Sequence, residues 1–169
     1  MERVHLLAGG LVVTGALYML SRTATGGQVV VAATDAVMNL LPRGVRNNNP
    51  GNIEYLSPDR AWRGQIASDG RFRIYDTPAN GVRAIAKQLQ KYTASGARTV
   101  QQYISKWAPS HENPTDAYIT NVARLVGVSP TETFDLYQKL PAFVTGVIQQ
   151  ENGRNPYASG DIAKWVYLS

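Results

Sequence analysis

The acidic residue with the most informative position is Glu151, near the end of the chain. Three apolar residues precede it at helical spacing: Phe143, Val147 and Ile148. On a helix these positions share one face with Glu151. The acid also lies in the last turn before Gly153, where unpaired carbonyl groups carry partial negative charge. Burial and the helix end both favour a protonated carboxyl group, which is what a general acid for glycosidic bonds requires.

The same spacing also fits a structural interpretation of Glu151. A glutamate at a helix terminus can direct its carboxylate to solvent and do no chemistry. The spacing alone therefore leaves both interpretations open.

The composition restricts the chemistry that remains. The chain has 169 residues, with 17 Lys and Arg, 12 Asp and Glu, two His and no Cys. The absence of cysteine excludes disulfides, thiolate nucleophiles and zinc sites of the cysteine type, and His5 and His111 are too few for a typical catalytic zinc site. We therefore expect no metal and no cofactor, and chemistry carried by carboxylates, hydroxyls and backbone groups.

The net charge of +5 belongs entirely to residues 43–169, because residues 1–42 carry two acidic and two basic residues. A basic domain suits a polyanion such as nucleic acid, anionic lipid or bacterial cell wall, although it also fits an ordinary basic surface. The basic residues are dispersed rather than arranged in a stripe. We therefore expect no nucleic-acid partner.

The first apolar segment, residues 4–20, has no charged side chain and is flanked by Arg3 and Arg22. Its length is near the lower limit for a membrane-spanning helix. A cleaved signal peptide is one interpretation, but residues 21–27 contain no clean cleavage motif. We favour an uncleaved membrane helix, with Arg3 placing the amino terminus in the cytoplasm or its topological equivalent.

A second apolar segment follows at residues 28–41, with apolar positions at helical spacing that predict an amphipathic helix. Pro42, Arg43 and Gly44 are typical of a boundary. The sequence therefore predicts two regions, a membrane anchor with a linker helix over 1–42 and a globular domain over 43–169.

Within the globular domain, turn residues separate three short apolar runs, which predict a small antiparallel sheet over residues 52–75. Asp69 and Gly70 form the strongest hairpin signal. Four helices are expected from their start and stop signals: from Pro78 to about Gly96, from Thr99 to Pro109, from Thr115, and from Ser129-Pro130-Thr131-Glu132. A last helix is predicted from Pro141 to Gly153. The fold class is α+β and mostly helical.

Several segments resemble known cell-wall enzymes. The segment FVTGVIQQENGRNPY resembles the catalytic helix of lysozyme-like lytic transglycosylases, and the match places Glu151 at the catalytic position. The segments NNNPGNIEY, Trp62-Arg63-Gly64 and FRIYDTPANGVRA resemble the core of bacterial and phage glucosaminidases and virion lytic proteins. The segment ENPTDAYITNV is similar to a transglycosylase helix, although its Glu-Thr pair is interrupted, which leaves the role of Glu112 open. The catalytic helix comes last here, as a circular permutation would place it.

The resemblance implies a lysozyme-like domain that cleaves the bond between N-acetylmuramic acid and N-acetylglucosamine. Glu151 would protonate the leaving oxygen and then act as the base while the sugar's own hydroxyl closes an anhydro ring. A hydrolase would need a second carboxylate, and the candidates are Glu54 and Asp69. We favour the transglycosylase with a single Glu.

The resemblance also suggests residues that contact the substrate. Tyr118 would orient Glu151 or bind sugar, Asn48 and Asn52 would contact N-acetyl groups, and Trp62 and Tyr75 would form an apolar platform. Each has a structural alternative in the core or in a turn. Trp107 and Pro109 are expected to serve the core and to end a helix.

These expectations combine into one hypothesis. The chain is a lytic enzyme of a phage virion, anchored in the membrane through residues 4–20, that acts on peptidoglycan glycan strands in the bacterial periplasm. Other virion proteins are further candidate partners. The alternative is a structural or wall-binding virion protein with the same fold and no activity.

Overall fold

The computed structural model describes residues 11–13, 16–18, 40–56, 61–109 and 115–168. The elements in chain order are β1 Leu11–Val13, β2 Ala16–Tyr18, α1 Arg43–Arg46, β3 Gln65–Ser68, β4 Arg73–Tyr75, α2 Pro78–Ala94, α3 Val100–Trp107, α4 Thr115–Val126, α5 Leu136–Asn152 and α6 Ser159–Trp165. Helices account for most of these residues, which confirms the predicted α+β, mostly helical class.

The first apolar segment differs from its prediction. Strands β1 and β2 pair antiparallel, with Leu11 opposite Tyr18 and Val13 opposite Ala16, so the helix predicted over 4–20 is wrong for these described residues. The β-branched side chains of Val12 and Val13 favour a strand. Among the residues that the structure describes, no helix is both long and apolar enough to cross a membrane.

Most of the other amino-terminal predictions concern residues outside the described ranges. The rest of the 4–20 segment lies outside the described residues, as do residues 28–39 of the predicted amphipathic helix. The predicted boundary at Pro42 and the membrane anchor stay predictions.

The small sheet predicted over 52–75 is confirmed. Strands β3 and β4 pair antiparallel, with Ser68 opposite Arg73, and Glu54 adds an isolated bridge to Phe72. The Asp69 carboxylate closes the hairpin by accepting the backbone N–H groups of Phe72, at 2.8 Å, and of the preceding residue, at 3.1 Å. The hydrogen bond from Phe72, more than any other contact, lowers the pKa of Asp69.

Helix α5 is central to the core. Its inward side chains are completely buried: Leu140, Phe143, Val144, Val147 and Ile148. Gly146 lets α4 approach closely, since a Cβ on that residue would lie 3.2 Å from Val122 Cγ2. Helix α2 turns Val82, Ile85 and Leu89 towards this core, and all three are buried. The core therefore forms between α5 and the helices α2 and α4.

Two helix boundaries were predicted wrongly. The segment from Ser129 to Glu132 forms a single turn, in which the Glu132 carboxylate accepts the Ser129 N–H at 2.9 Å. The chain then pairs with Thr99 through Thr133, which prevents the helix from continuing. The next helix, α5, begins only at Leu136, after Asp135 caps it.

Pro141 lies inside α5 rather than at its start. A proline has no N–H to donate to the carbonyl four residues earlier, which here belongs to Tyr137. The Tyr167 hydroxyl donates to that carbonyl at 2.8 Å. The tertiary contact therefore satisfies the acceptor that Pro141 leaves open.

Candidate active site

The asparagine-rich loop at residues 47–52 is fixed by a buried side chain. Asn49 is fully buried, and its amide group donates to the carbonyls of Ile53 and Arg73, both at 2.9 Å. Asn48 and Asn52 have φ values of 49° and 47°, in the left-handed region that asparagine adopts more readily than most residues. The loop is thereby tied to the sheet and turns Asn52 towards α5.

Glu151 ends up at the meeting point of three elements. Its Oε2 accepts the side-chain amide of Asn52 at 3.0 Å. Its Oε1 accepts the Trp107 indole N–H at 3.0 Å and the Tyr118 hydroxyl at 3.1 Å. The donors come from the asparagine loop, from the end of α3 and from α4. Both oxygens of a half-buried carboxyl group are therefore held in place.

The two oxygens of Glu151 are not equivalent. An indole N–H donates and never accepts, and burial raises the pKa of the Tyr118 hydroxyl well above its usual range, with the Glu151 carboxylate adding to the shift. Tyr118 therefore stays neutral and donates. Because Oε1 accepts two hydrogen bonds and Oε2 accepts one, Oε2 is the oxygen with room for a proton.

Glu151 lines a cleft of about 680 Å³ between the sheet and the helices. The cleft carries two acidic and four basic side chains: Glu54, Glu151, Arg71, Arg73, Lys91 and Lys106. Its charged lining is therefore basic, in keeping with an anionic ligand.

The cleft includes two further residues that the sequence suggested, Trp62 and Glu54. The Trp62 ring has the Lys91 Nζ 4.2 Å and the Arg73 guanidinium 5.2 Å from its centroid, within the range of cation–π contacts. The Glu54 carboxylate is paired with Arg71 at 2.8 Å. Trp62 therefore already has cationic partners, and Glu54 is neutralised by a guanidinium group.

Three suggested residues are not part of this cleft. Asn48 donates its side-chain amide to the Tyr75 carbonyl at 3.0 Å, and Tyr75 itself is 1% exposed. Asp69 serves the hairpin turn and accepts from Asn47 at 2.7 Å. Asn48, Tyr75 and Asp69 therefore lie in the loop, the core and the turn rather than in the cleft lining, and the roles suggested for them stay predictions.

Sequence reasoning missed Trp107 and Asn152. Trp107 packs against the core, as expected, but its N–H also donates to Glu151. Asn152 donates to the Pro50 carbonyl at 2.7 Å and so ties the loop to α5. The residue types offered no signal for these contacts, although Asn152 directly follows the candidate acid. Glu112 and His111 lie outside the described residues.

Within the described ranges, no three side chains of His, Cys, Asp or Glu come together in a way that could hold a metal ion.

The fold and the site define a mostly helical α+β protein with a basic cleft, in which three donors hold the carboxyl group of Glu151. No protein-family model matches the chain. The chain is 36% identical over 145 residues to Protein P5 of Pseudoalteromonas phage PM2, a match that covers 83% of this chain and 90% of that protein. The chain therefore belongs to the family of this phage protein.

Proposed function

We propose that the chain is a peptidoglycan-cleaving enzyme of a phage virion, with Glu151 as its single general acid and base. The observation that carries the proposal is the position of Glu151, whose two oxygens are held by three donors at the wall of a cleft. Such restraint is what proton transfer to a bound glycan requires. The phage relative supports a phage source, and a place in the virion is part of the proposal.

The reaction uses one proton and returns it. The Oε2–H group of Glu151 donates its proton to the glycosidic oxygen, and the bond between that oxygen and the anomeric carbon breaks. A hydroxyl of the same sugar then attacks the anomeric carbon and gives its proton to Oε2. The products are a shortened strand and an anhydro sugar, and no water is consumed.

The state of Glu54 favours this route over hydrolysis. A hydrolase uses a second carboxylate as nucleophile or base. Glu54 is the other acidic residue in the cleft lining, and Arg71 holds its carboxylate through contacts from Nε and Nη2, both at 2.8 Å. A carboxylate engaged by a guanidinium group in this way is less available as a nucleophile than a free one.

The basic lining supports peptidoglycan as the substrate. Lys91 and Lys106 line the cleft together with Arg71. Peptidoglycan carries carboxylate groups along its length, so these cations complement it. The place of action that follows is the bacterial periplasm, and the apolar amino-terminal segment would hold the enzyme near a membrane.

The test compares two variants with the same chemical change. Glu151→Gln removes the proton donor while keeping the shape of the side chain, whereas Glu132→Gln changes an exposed residue in a turn. We expect Glu151→Gln to slow the loss of turbidity of purified sacculi by about 10²- to 10⁴-fold, and Glu132→Gln to lyse as the wild type does.

Equal lysis by both variants would show that Glu151 is not the acid. If the wild-type protein binds sacculi and never clears them, the alternative of a structural or wall-binding protein replaces the enzyme.

A further inference from the structure

Two buried amide oxygens next to Glu151 have no hydrogen-bond partner among the residues that the structure describes: Asn52 Oδ1 and Asn152 Oδ1. Both point at Gly44. A Cβ on that glycine would lie 2.9 Å from Asn52 Oδ1 and 2.7 Å from Asn152 Oδ1, and 2.9 Å from the Asn49 carbonyl oxygen. Three oxygens therefore converge on one point, and none of them can donate a hydrogen bond to another.

The orientation of Asn152 is fixed by its own donors. Its Nδ2 donates to the carbonyls of Pro50, at 2.7 Å, and Ile148, at 2.9 Å, so its oxygen must face Gly44. The amide of Asn52 is fixed differently. Its Nδ2 makes one side-chain contact, with Oε2 of Glu151, and that contact requires an acceptor.

A half-turn of the Asn52 amide about its Cβ–Cγ bond exchanges its nitrogen and oxygen. The oxygen would then face Oε2 of Glu151 and accept a hydrogen bond from a protonated carboxyl group. The nitrogen would face Gly44, on the side where the oxygens of Asn152 and Asn49 lie. Buried polar groups are usually paired, and a donor on that side would suit the unpartnered Asn152 oxygen once Glu151 carries a proton.

We propose that Asn52 is a two-state positioning residue, whose side-chain amide donates to the Glu151 carboxylate and turns over to accept from the protonated acid. The catalytic meaning of this exchange rests on the function proposed above, because a general acid and base alternates between those two forms. Asn52 holds the acid before the proton leaves and stabilises the carboxylate afterwards. The unpartnered oxygen of Asn152 favours the second orientation.

The test uses Glu151→Gln and needs no substrate. Trp107 and Tyr118 both donate to the Oε1 position, so the carbonyl of Gln must occupy it and the NH₂ group must face Asn52. Two NH₂ groups cannot bond to each other. We therefore expect Asn52 to turn over in the variant.

Nuclear Overhauser effects (NOEs) from the Asn52 side-chain amide protons report its orientation. In the wild type at neutral pH, we expect a contact to the γ-protons of Glu151. In Glu151→Gln that contact is lost and one to the α-protons of Gly44 appears, while Glu132→Gln keeps the wild-type pattern. A Glu151→Gln spectrum that keeps the contact to residue 151 and shows none to Gly44 would overturn the proposal.

If Glu151→Gln does not fold, the same two contacts are followed in the wild type as the pH is lowered. The carboxyl carbon signal of Glu151 shows when that group is protonated. Tyr118 stays neutral throughout because its pKa is raised; the other charged groups of the cleft are Glu54, Arg71, Arg73, Lys91 and Lys106. The inference would be contradicted if the Asn52 contacts exchanged with the protonation of Glu54 instead of Glu151. It would also be contradicted if they did not exchange after Glu151 is protonated.

The two proposals fail separately. A protein whose Asn52 amide turns over but which never cleaves sacculi refutes the enzyme and keeps the two-state amide. A protein that cleaves sacculi while its Asn52 amide stays fixed refutes the two-state amide and keeps the enzyme.

Discussion

The carboxyl group of Glu151 is restrained by two kinds of neighbour. Aromatic donors, Trp107 and Tyr118, fix Oε1, while the amide of Asn52 addresses Oε2. The first pair sets the direction of the carboxyl group, since the indole N–H can only donate and the neutral Tyr118 hydroxyl donates to the same oxygen. The Asn52 amide can donate to Oε2 when Glu151 is a carboxylate and accept from Oε2 when it is protonated. The chemistry therefore depends on Oε1 staying fixed while Oε2 exchanges its proton.

Removing one aromatic donor tests this division. Trp107→Phe keeps an aromatic ring and deletes the N–H group that binds Oε1. A hydrogen bond to a charged group is worth about 1.5–3 kcal/mol, so we expect the rate of sacculus lysis to fall about 10- to 100-fold. Trp165→Phe, which alters a ring packed on Tyr157 at 5.7 Å, is the control and should lyse normally. Equal lysis by the two variants would contradict a role for the indole.

Part of this site could be predicted from the sequence. Glu151, Tyr118 and Asn52 were suggested by motif and spacing, and the structure places them in contact. The contact of Trp107 was not predicted, because the direction of its indole depends on how α3 packs against Glu151, which lies 44 residues away in sequence. Tyr75 has the residue type of a sugar platform, and burial alone removes it from the site.

The asparagine loop reaches Glu151 because it is tied to the helices at two points. Asn152 bonds to Pro50 at the end of α5. On α2, Gly81 is so close to the loop that a Cβ would lie 1.8 Å from the Asn48 carbonyl oxygen. The loop therefore requires a glycine at this position of the helix.

A methyl group at that contact should displace the loop. We expect Gly81→Ala to lower the free energy of unfolding by about 3 kcal/mol and to impair lysis, because Asn52 moves away from Glu151. Gly160→Ala, in α6 with nothing within 4 Å of the new methyl group, is the matched control and should cost no stability. Urea denaturation followed by circular dichroism measures both. A Gly81→Ala protein as stable as the control would show that the loop adapts freely.

Local signals were sufficient for some elements and not for others. The helix start predicted at Thr99 is confirmed, and Thr99 forms a capping box there with Gln102, because capping involves only residues three apart. Pro141 was expected to start a helix, and it lies inside one because the distant Tyr167 satisfies the carbonyl that it leaves open. Tertiary contacts of this kind are not encoded in the neighbouring residues.

The described domain, as a folding unit, buries several tyrosine side chains, and burial is the largest influence on the pKa of each. Burial raises the pKa values of Tyr75 and Tyr118, and that of Tyr157 to about 12. A raised folded-state pKa means that the stabilising contribution is complete below the unfolded value of about 10. It is lost as the pH rises through the folded value. The protein should therefore lose stability above about pH 10.

One buried tyrosine can be separated from the others. The Tyr157 hydroxyl has no hydrogen-bond partner in the part of the chain that the structure describes, so Tyr157→Phe should leave stability at pH 8 almost unchanged. Between pH 10 and 12, the free energy of unfolding should fall by about 3 kcal/mol less in Tyr157→Phe than in the wild type, at about 1.4 kcal/mol per pH unit. Tyr137→Phe, at a ring 65% exposed, is the control. Identical alkaline unfolding in both variants would contradict the burial argument.

The masses of the fragments released from purified sacculi decide whether one glutamate cleaves the glycan strand. The wild-type protein should release muropeptides with the mass of the anhydro form, and Glu151→Gln should release none. Fragments one water heavier would contradict catalysis by a single glutamate. Equal release by the Gln variant would contradict the assignment of Glu151 itself.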